Sequence, residues 1–122
     1  GEILFGVGRV TVTGTAITYT VNHYGFKVTA NLATTACTNA DGTTETSTNT
    51  GALTLTNAIM FHADKNATTN VKYYTDRTLQ ATHTTNLPTG NNDFFGIGIS
   101  NTTSASQSVW EMGCYKYNQD AQ

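Results

Sequence analysis

Apolar residues alternate with threonine over short stretches of this sequence, and most of these stretches end near glycine or asparagine. In residues 16–21, for example, Ile17, Tyr19 and Val21 are separated by threonines. Successive side chains of a β-strand point to opposite faces of a sheet, so this spacing matches a strand with one buried face. Threonine is about a fifth of the chain, and its β-branched side chain favours strands over helices. The sequence therefore predicts an all-β fold.

The alternating runs predict about ten short strands in a single domain spanning residues 1–122. Short polar turns separate the runs, as antiparallel pairing requires. This pattern is typical of an antiparallel β-sandwich or jelly roll. Outside residues 34–51, 52–63 and 70–90, the predicted strands are residues 3–7, 9–13, 16–21, 24–30, 94–100 and 108–117.

Two segments between these strands are open to more than one interpretation. Residues 34–51 are rich in Thr, Asn and Ser, and the Asp41-Gly42 pair favours a hairpin of two exposed edge strands over a long loop. Residues 52–63 are the most apolar run, which favours a buried strand over a helix in this context. A turn is predicted at residues 64–69.

Charged side chains are scarce in this chain. Six Lys and Arg and eight Asp and Glu give a formal net charge of −2. Binding to a nucleic-acid backbone needs clustered Lys and Arg, so the composition argues against nucleic acid as a partner. No apolar run approaches the ~20 residues that span a bilayer, so no membrane partner is predicted. The chain opens with Gly1-Glu2 and not with Met, and we expect it to be processed or cut from a longer protein.

The acidic residues do not predict an enzyme. Glycoside hydrolysis by a retaining mechanism needs two carboxyl groups about 5 Å apart. No two acids lie two or four residues apart on one predicted strand, because Asp41 and Glu45 straddle the turn at Gly42. A Ser-His-Asp site could use His62 or His83, but no serine lies in a Gly-x-Ser-x-Gly motif. We therefore predict no catalytic residues. The acids are Glu2, Asp41, Glu45, Asp64, Asp76, Asp93, Glu111 and Asp120.

The sequence also gives little support for a metal site or for a disulfide. Three histidines without regular spacing predict no metal site. Residues 64–66 and 91–93 are the candidate calcium loops, but ordinary Asx turns explain both. We predict no cofactor. Cys37 and Cys114 could form one disulfide, or both could be buried thiols, and the second interpretation is favoured.

Residues 70–90, NVKYYTDRTLQATHTTNLPTG, contain side chains that could do chemistry, but their pattern predicts a β-hairpin. A three-residue loop at residues 76–78 pairs Thr75 with Leu79 and sorts the apolar side chains onto one face, whereas a two-residue loop would mix the faces. His83 then lies at the rim of the buried face, and Pro88 ends the strand. The predicted buried face holds Val71, Tyr73, Leu79 and Ala81, and the exposed face holds Lys72, Tyr74, Gln80 and Thr82.

Aromatic side chains are the remaining candidates for ligand binding. Tyr and Trp rings on an exposed face can stack on sugar rings, while Thr and Asn supply hydrogen bonds. The alternative is that these rings fill the core or a subunit interface. The predicted ligand-binding residues are Tyr74, Trp110, Tyr115 and Tyr117.

The run VKYYTDRTLQATHTTNLP, residues 71–88, resembles the hairpin of concanavalin A-like jelly rolls. In that family a V-x-F-Y-x-D-G turn is followed by a strand that ends in x-H-T-x-N-hydrophobic-Pro. LFGVGRV and YGFKVTA resemble two further strands of the family, and FFGIGISNTTSASQSVWEMGCYKY resembles its closing strand pair. Arg77 departs from the pattern, because the family usually has Gly at this turn position to adopt a positive φ. The family also usually carries further strands before the point where this chain begins.

The resemblance implies a structural role. Thr- and Asn-rich, Lys-poor versions of the domain belong mainly to virion proteins of tailed bacteriophages, namely tail fibres, receptor-binding proteins and decoration proteins. We therefore expect a virion or extracellular protein that forms a homo-oligomer, assembles with other virion subunits and binds host-surface glycan. The alternatives are a lectin-like carbohydrate-binding module, and a subunit of a bacterial or archaeal extracellular fibre joined by strand exchange.

Overall fold

Antiparallel β-strands make up the secondary structure of the described part of the chain. The computed structural model describes residues 1–29, 33–52, 58–66, 68–89 and 95–100, and no helix occurs among them. The all-β prediction is confirmed for these residues. The strands are β1 (Glu2–Gly8), β2 (Thr11–Thr13), β3 (Ala16–Thr18), β4 (His23–Thr29), β5 (Thr34–Ala40), β6 (Glu45–Ala52), β7 (Phe61–Asn66), β8 (Asn70–Thr75), β9 (Thr78–His83) and β10 (Phe95–Ser100).

Five strands form one sheet in the order β10-β1-β4-β5-β6. Register places Phe5 of β1 opposite Phe26 of β4, and Phe26 opposite Cys37 of β5. Directly opposed residues share a face, so these side chains form one row on the inner side of the sheet. The row is buried, and each large apolar side chain in it contributes roughly 1.5–3 kcal/mol to folding.

The second layer is the three-stranded sheet β7-β8-β9. Tyr73 and Phe61 of this sheet pack against Phe26, with ring centroids 5.5 Å and 4.9 Å away. The two sheets therefore face each other across a common core, which is a β-sandwich-like architecture. The buried members of the core cluster are Ile3, Phe5, Phe26, Val28, Cys37, Val71 and Tyr73.

A short hairpin, β2–β3, covers the opposite face of the five-stranded sheet. Ile17 of β3 is buried there. Val10, just before β2, packs over Gly96 and Gly98 of β10, and a Cβ atom added to Gly98 would collide with its side chain. The glycines thus let the hairpin approach the sheet closely, so it covers the part of this face formed by β1 and β10.

The β8–β9 hairpin confirms part of its prediction and corrects the rest. Val71 pairs with His83 and Tyr73 with Ala81, as predicted. The loop, however, has two residues, and a shift in register next to Tyr73 pairs Tyr74 with Leu79. This bulge turns Leu79 onto the outer face, where it is 51% exposed, so its predicted burial was wrong.

The two turn residues of that hairpin both have a positive φ, 47° for Asp76 and 68° for Arg77. Such angles suit the right-handed twist of a two-residue hairpin but are costly for Arg. Asp76 is held by a reciprocal pair of bonds, since its N–H donates to Met60 O (2.9 Å) and its carboxylate accepts from Met60 N (3.0 Å). These contacts stabilise a turn that lacks Gly.

The Asp41-Gly42 hairpin is confirmed, with β5 and β6 as its arms. The Asp41 carboxylate accepts hydrogen bonds from the N–H groups of Thr43 (2.9 Å) and Thr44 (2.8 Å). The prediction that both arms are exposed edge strands was wrong for β5. This strand lies between β4 and β6 and is buried from Thr35 to Ala40.

The apolar run of residues 52–63 was also partly mispredicted. Residues 58–60 lie outside any strand, and Met60 is 48% exposed because its backbone is bound at the β8–β9 turn. β7 instead continues through part of the predicted turn, and the chain reverses where Thr69 N donates to Asn66 O (2.9 Å). The predicted strand at residues 108–117 lies outside the described residues.

Replacing Arg77 by Gly should stabilise the fold. Gly adopts a positive φ without steric cost, so we expect Arg77→Gly to raise the free energy of unfolding by about 0.5–1 kcal/mol. Thr78→Gly, one residue further along in β9, is the control and should lower it by about 1 kcal/mol. Urea denaturation of both variants measures the difference, and destabilisation by Arg77→Gly would contradict the two-residue turn.

Candidate functional site

A buried polar cluster lies between the two sheets. β5 contributes Asn39, β8 contributes Tyr73 and β9 contributes His83, and all three side chains are buried. The Tyr73 hydroxyl donates to the carbonyl oxygen of Thr38 at 2.9 Å and lies 3.2 Å from Asn39 Oδ1. Burial raises the pKa of Tyr73, so the phenol keeps its proton and acts as a donor.

The hydrogen bonds of this cluster fix the orientation of its amide. Asn39 Nδ2 donates to the carbonyl oxygens of Thr85 (2.9 Å) and Asn86 (2.7 Å), so Oδ1 is the acceptor for His83 Nδ1 at 2.5 Å. His83 Nε2 lies 2.8 Å from the hydroxyl of Thr48, which can donate to it. Burial lowers the pKa of His83, and a neutral ring satisfies every one of these bonds.

A second group of charged and polar side chains lies on the other face of the five-stranded sheet. The Lys27 ammonium is 2.5 Å from Glu45 Oε1 and 4.4 Å from the centre of the Tyr19 ring. The Tyr19 hydroxyl donates to Glu2 Oε2 at 2.9 Å. Burial and the hydrogen bond to Glu2 raise the pKa of Tyr19. These contacts attach the turn after β3 to β1, β4 and β6.

His23 completes this second group at the start of β4. Its Nδ1 lies 2.7 Å from the carbonyl oxygen of Val21, and its Nε2 lies 3.1 Å from Thr38 Oγ1. Thr38 Oγ1 in turn donates to Glu45 Oε1 at 2.6 Å. Burial lowers the pKa of His23, although the bond to Val21 and the charge of Glu45 act in the opposite direction.

The outer face of the three-stranded sheet presents an aromatic pair to solvent. His62 of β7 lies opposite Tyr74 of β8, and the two rings stack with centroids 5.4 Å apart at 28°. Leu79 of β9 lies opposite Tyr74 on the other side, and Met60 is exposed next to the start of β7. This row, His62–Tyr74–Leu79, is a flat, partly apolar surface of the kind on which a sugar ring can stack.

The structure thus places one of the four predicted ligand-binding residues. Tyr74 is half-buried on the outer face, and Tyr73 points the other way into the core, as the alternation of the strand predicts. The other three predicted residues, Trp110, Tyr115 and Tyr117, lie outside the described residues.

Cys37 is a free thiol in this structure and is fully buried. Burial raises its pKa to about 12, so the thiol stays protonated and unreactive at neutral pH. Cys114 lies outside the described residues, and its pairing stays a prediction.

Within the described ranges, no three His, Cys, Asp or Glu side chains are grouped so that they could hold a metal ion. The candidate calcium segment at residues 64–66 is the end of strand β7 and not a loop, while residues 91–93 are outside the described part. The described residues also include no helix long and apolar enough to span a membrane.

Sequence reasoning missed two residues that organise these clusters. Asn39 lies in a run of Thr, Asn and Ala that looked like an exposed strand, and its partners are 34 or more residues away. Glu45 was weighed only as a catalytic acid, although it pairs with Lys27. Both roles depend on which strands become neighbours, and no local pattern encodes that.

Comparison of the chain with known protein families, with curated proteins and with solved structures finds no match.

Two adjacent tyrosines should differ in their response to loss of the hydroxyl. Tyr73→Phe removes a buried donor to the Thr38 carbonyl oxygen, so the free energy of unfolding should fall by about 1–2 kcal/mol. Tyr74→Phe is the matched control on the exposed side of the same strand and should change it by less than about 0.5 kcal/mol. Equal effects in urea denaturation would contradict the buried role of Tyr73.

Stability should fall in acid because both buried histidines favour the neutral form. Their pKa values are lowered in the folded state, so the unfolded chain takes up protons first as the pH drops below the ordinary range of His. The free energy of unfolding is then largest above that range and declines below it, by up to about 1.4 kcal/mol per pH unit for each group. Denaturation at a series of pH values measures this slope. His83→Gln should reduce it, with His62→Gln as the control at an exposed position.

Proposed function

We propose that this chain is a non-enzymatic structural domain of a virion, of the tail-fibre or capsid-decoration type, with a concanavalin A-like jelly-roll fold. The strand arrangement supports the fold assignment. β1 pairs with β10, the last described strand, and the chain crosses from one sheet to the other between β6 and β7 and returns after β9. Opposed antiparallel sheets with such crossings are the architecture of jelly rolls.

The engagement of the polar side chains in internal bonds is the observation that supports a structural role. Both ring nitrogens of His23 and of His83 lie within hydrogen-bond distance of protein atoms. Cys37 is buried and Tyr73 is held as a donor. In this arrangement the groups that could act as nucleophile or base instead hold strands together. A protein that works by assembly needs such rigidity and a surface poor in charge.

The His62–Tyr74–Leu79 row favours a second function, recognition of a host-surface glycan. The His62 ring is exposed and the Tyr74 ring is half-buried beside it, and the neighbouring strand positions carry Lys72 and Thr82, which can donate hydrogen bonds. Stacking combined with polar contacts at the rim is the usual chemistry of sugar binding by protein surfaces. In this proposal the row is the ligand-contacting face and the inter-sheet core is the scaffold.

Light scattering of the purified chain tests the structural role. We expect a homo-oligomer or larger ordered assembly, because a virion subunit acts through repeated contacts with copies of itself. Co-purification with particles would support the same conclusion. A monomer at all concentrations that also binds glycan tightly would overturn the structural role in favour of the lectin-like module.

A glycan array tests the second function. Tyr74→Ala should remove most of the binding, since loss of a stacking ring costs about 1–3 kcal/mol, or a factor of 5 to 150 in affinity. Thr68→Ala, in the exposed turn before β8, is the matched control and should bind as the unmodified chain does. Binding that survives Tyr74→Ala would place the ligand elsewhere.

A further inference from the structure

The two buried histidines have similar partners but differ in the number of protons that their surroundings require. In each case Nδ1 faces an oxygen that accepts, the carbonyl of Val21 for His23 and Asn39 Oδ1 for His83. In each case Nε2 faces a threonine hydroxyl. The two histidines differ in whether the threonine hydroxyl has a second hydrogen-bond partner.

Thr48 Oγ1, the partner of His83, has no other hydrogen-bond partner within the described residues. Its hydroxyl can rotate, so it donates to a neutral ring or accepts from a charged one. Thr48 therefore serves either protonation state of His83, and the neutral ring, which burial favours, leaves no atom unsatisfied.

Thr38 Oγ1, the partner of His23, has a second partner. It lies 2.6 Å from Glu45 Oε1, and the Lys27 ammonium at 2.5 Å from the same oxygen stabilises the carboxylate as an anion. A carboxylate only accepts, so the single hydroxyl proton of Thr38 is used there. What Thr38 offers to His23 is then a lone pair, and Nε2 must carry a proton to use it.

We propose that His23, Thr38 and Glu45 form a proton-binding relay that is complete only when the His23 ring carries a proton on both nitrogens. In that state Nδ1–H donates to Val21 O, Nε2–H donates to Thr38 Oγ1, and the Thr38 hydroxyl donates to Glu45. When the ring loses a proton, the Thr38 hydroxyl has two acceptors and one hydrogen, so one link opens.

The charges around the relay come from several elements. Glu45 of β6 favours the charged ring, whereas Lys27 of β4 opposes it, and both act on His23 through the sheet. Tyr19 lies over Lys27 and donates to Glu2 of β1, so two further titratable groups adjoin this cluster. Burial disfavours the charged ring, so we expect His23 to become doubly protonated in acid and not at neutral pH.

The consequence is that pH changes the hydrogen bonding that holds strand β6 to strand β5. Glu45 is the first residue of β6, at the edge of the described sheet, and Thr38 holds it to β5. With His23 neutral, the single hydroxyl proton of Thr38 can be donated to the His23 ring or to the Glu45 carboxylate, but not to both. With His23 charged, the chain of bonds runs without a break from β4 through β5 to β6. Proton uptake therefore tightens the hydrogen bonding of this edge even though charging a buried ring costs folding free energy.

Nitrogen NMR of the full chain labelled with ¹⁵N tests the relay, because the Nδ1 and Nε2 shifts report which ring nitrogen carries a proton. Across about pH 8 to about pH 4, we expect His23 to change from the Nδ1–H form to the doubly protonated form while the protein stays folded. Unfolding of the protein before His23 takes up its proton would overturn the proposal.

Matched threonine variants separate the relay from a simple buried histidine. Thr38→Val removes the acceptor for Nε2–H and should weaken proton binding by His23 about tenfold, whereas Thr38→Ser should restore it. Thr48→Val is the control at the other ring and should change proton binding by His83 less. Equal shifts at the two rings would contradict a specific role for Thr38.

Glu45→Gln provides an independent test at a more exposed position that does not perturb the core. It keeps an acceptor for Thr38 but removes the negative charge, so proton binding by His23 should weaken by about tenfold or more. Glu2→Gln makes the same charge change on the neighbouring Tyr19 side and should have an effect below about threefold. If Glu45→Gln leaves the His23 titration unchanged, the relay does not exist.

Discussion

The side-chain amide of Asn39 lies where the two sheets meet the segment that follows β9, and all of its hydrogen-bonding capacity is used there. Its two N–H groups bind the Thr85 and Asn86 carbonyls, and its oxygen accepts from His83. A buried amide that lost these partners would cost about 1–3 kcal/mol for each unsatisfied group. Apolar contacts are non-directional, whereas these hydrogen bonds require a particular placement of β5, β9 and residues 85–86. The polar contact therefore specifies the packing that the apolar contacts stabilise.

Strand β5 carries the two polar clusters on its two faces. Thr38 points to the face that carries Lys27 and binds Glu45, and Asn39, the next residue, points into the core and binds His83. A central strand with both faces covered usually carries apolar residues. Here small polar residues occupy those positions, and each is matched by a partner from another strand. The low hydrophobic content of the chain is thus compensated by hydrogen bonds that lie inside the structure.

Periodicity predicted most of the described strands, because alternation reports directly on a face that is buried, but it placed a turn where β7 continues to Asn66. It was not sufficient at the tip of the β8–β9 hairpin. A two-residue turn mixes the two faces unless a bulge follows it, and the bulge that keeps Tyr73 opposite Ala81 has no sequence signature. The burial of β5 was missed for a related reason. A run of Thr and Asn predicts an exposed strand unless their hydrogen-bond partners are known, and those partners belong to other strands. Tyr74 could be predicted to lie on the outer face, but its neighbours His62 and Leu79 depend on register across three strands.

The pairing of β1 with β10 gives the fold a particular order of assembly. The hairpins β2–β3, β5–β6 and β8–β9 join residues close in sequence, so they can form early and quickly. β1, however, is synthesised before residues 95–100 and waits for them before one of its edges is paired. During that interval it exposes an apolar edge, Ile3, Leu4 and Phe5, on which another chain could add a strand. The backbone edge of β1 that pairs with β10 in the folded sheet is thus an edge at which crowded, newly made copies can pair with one another.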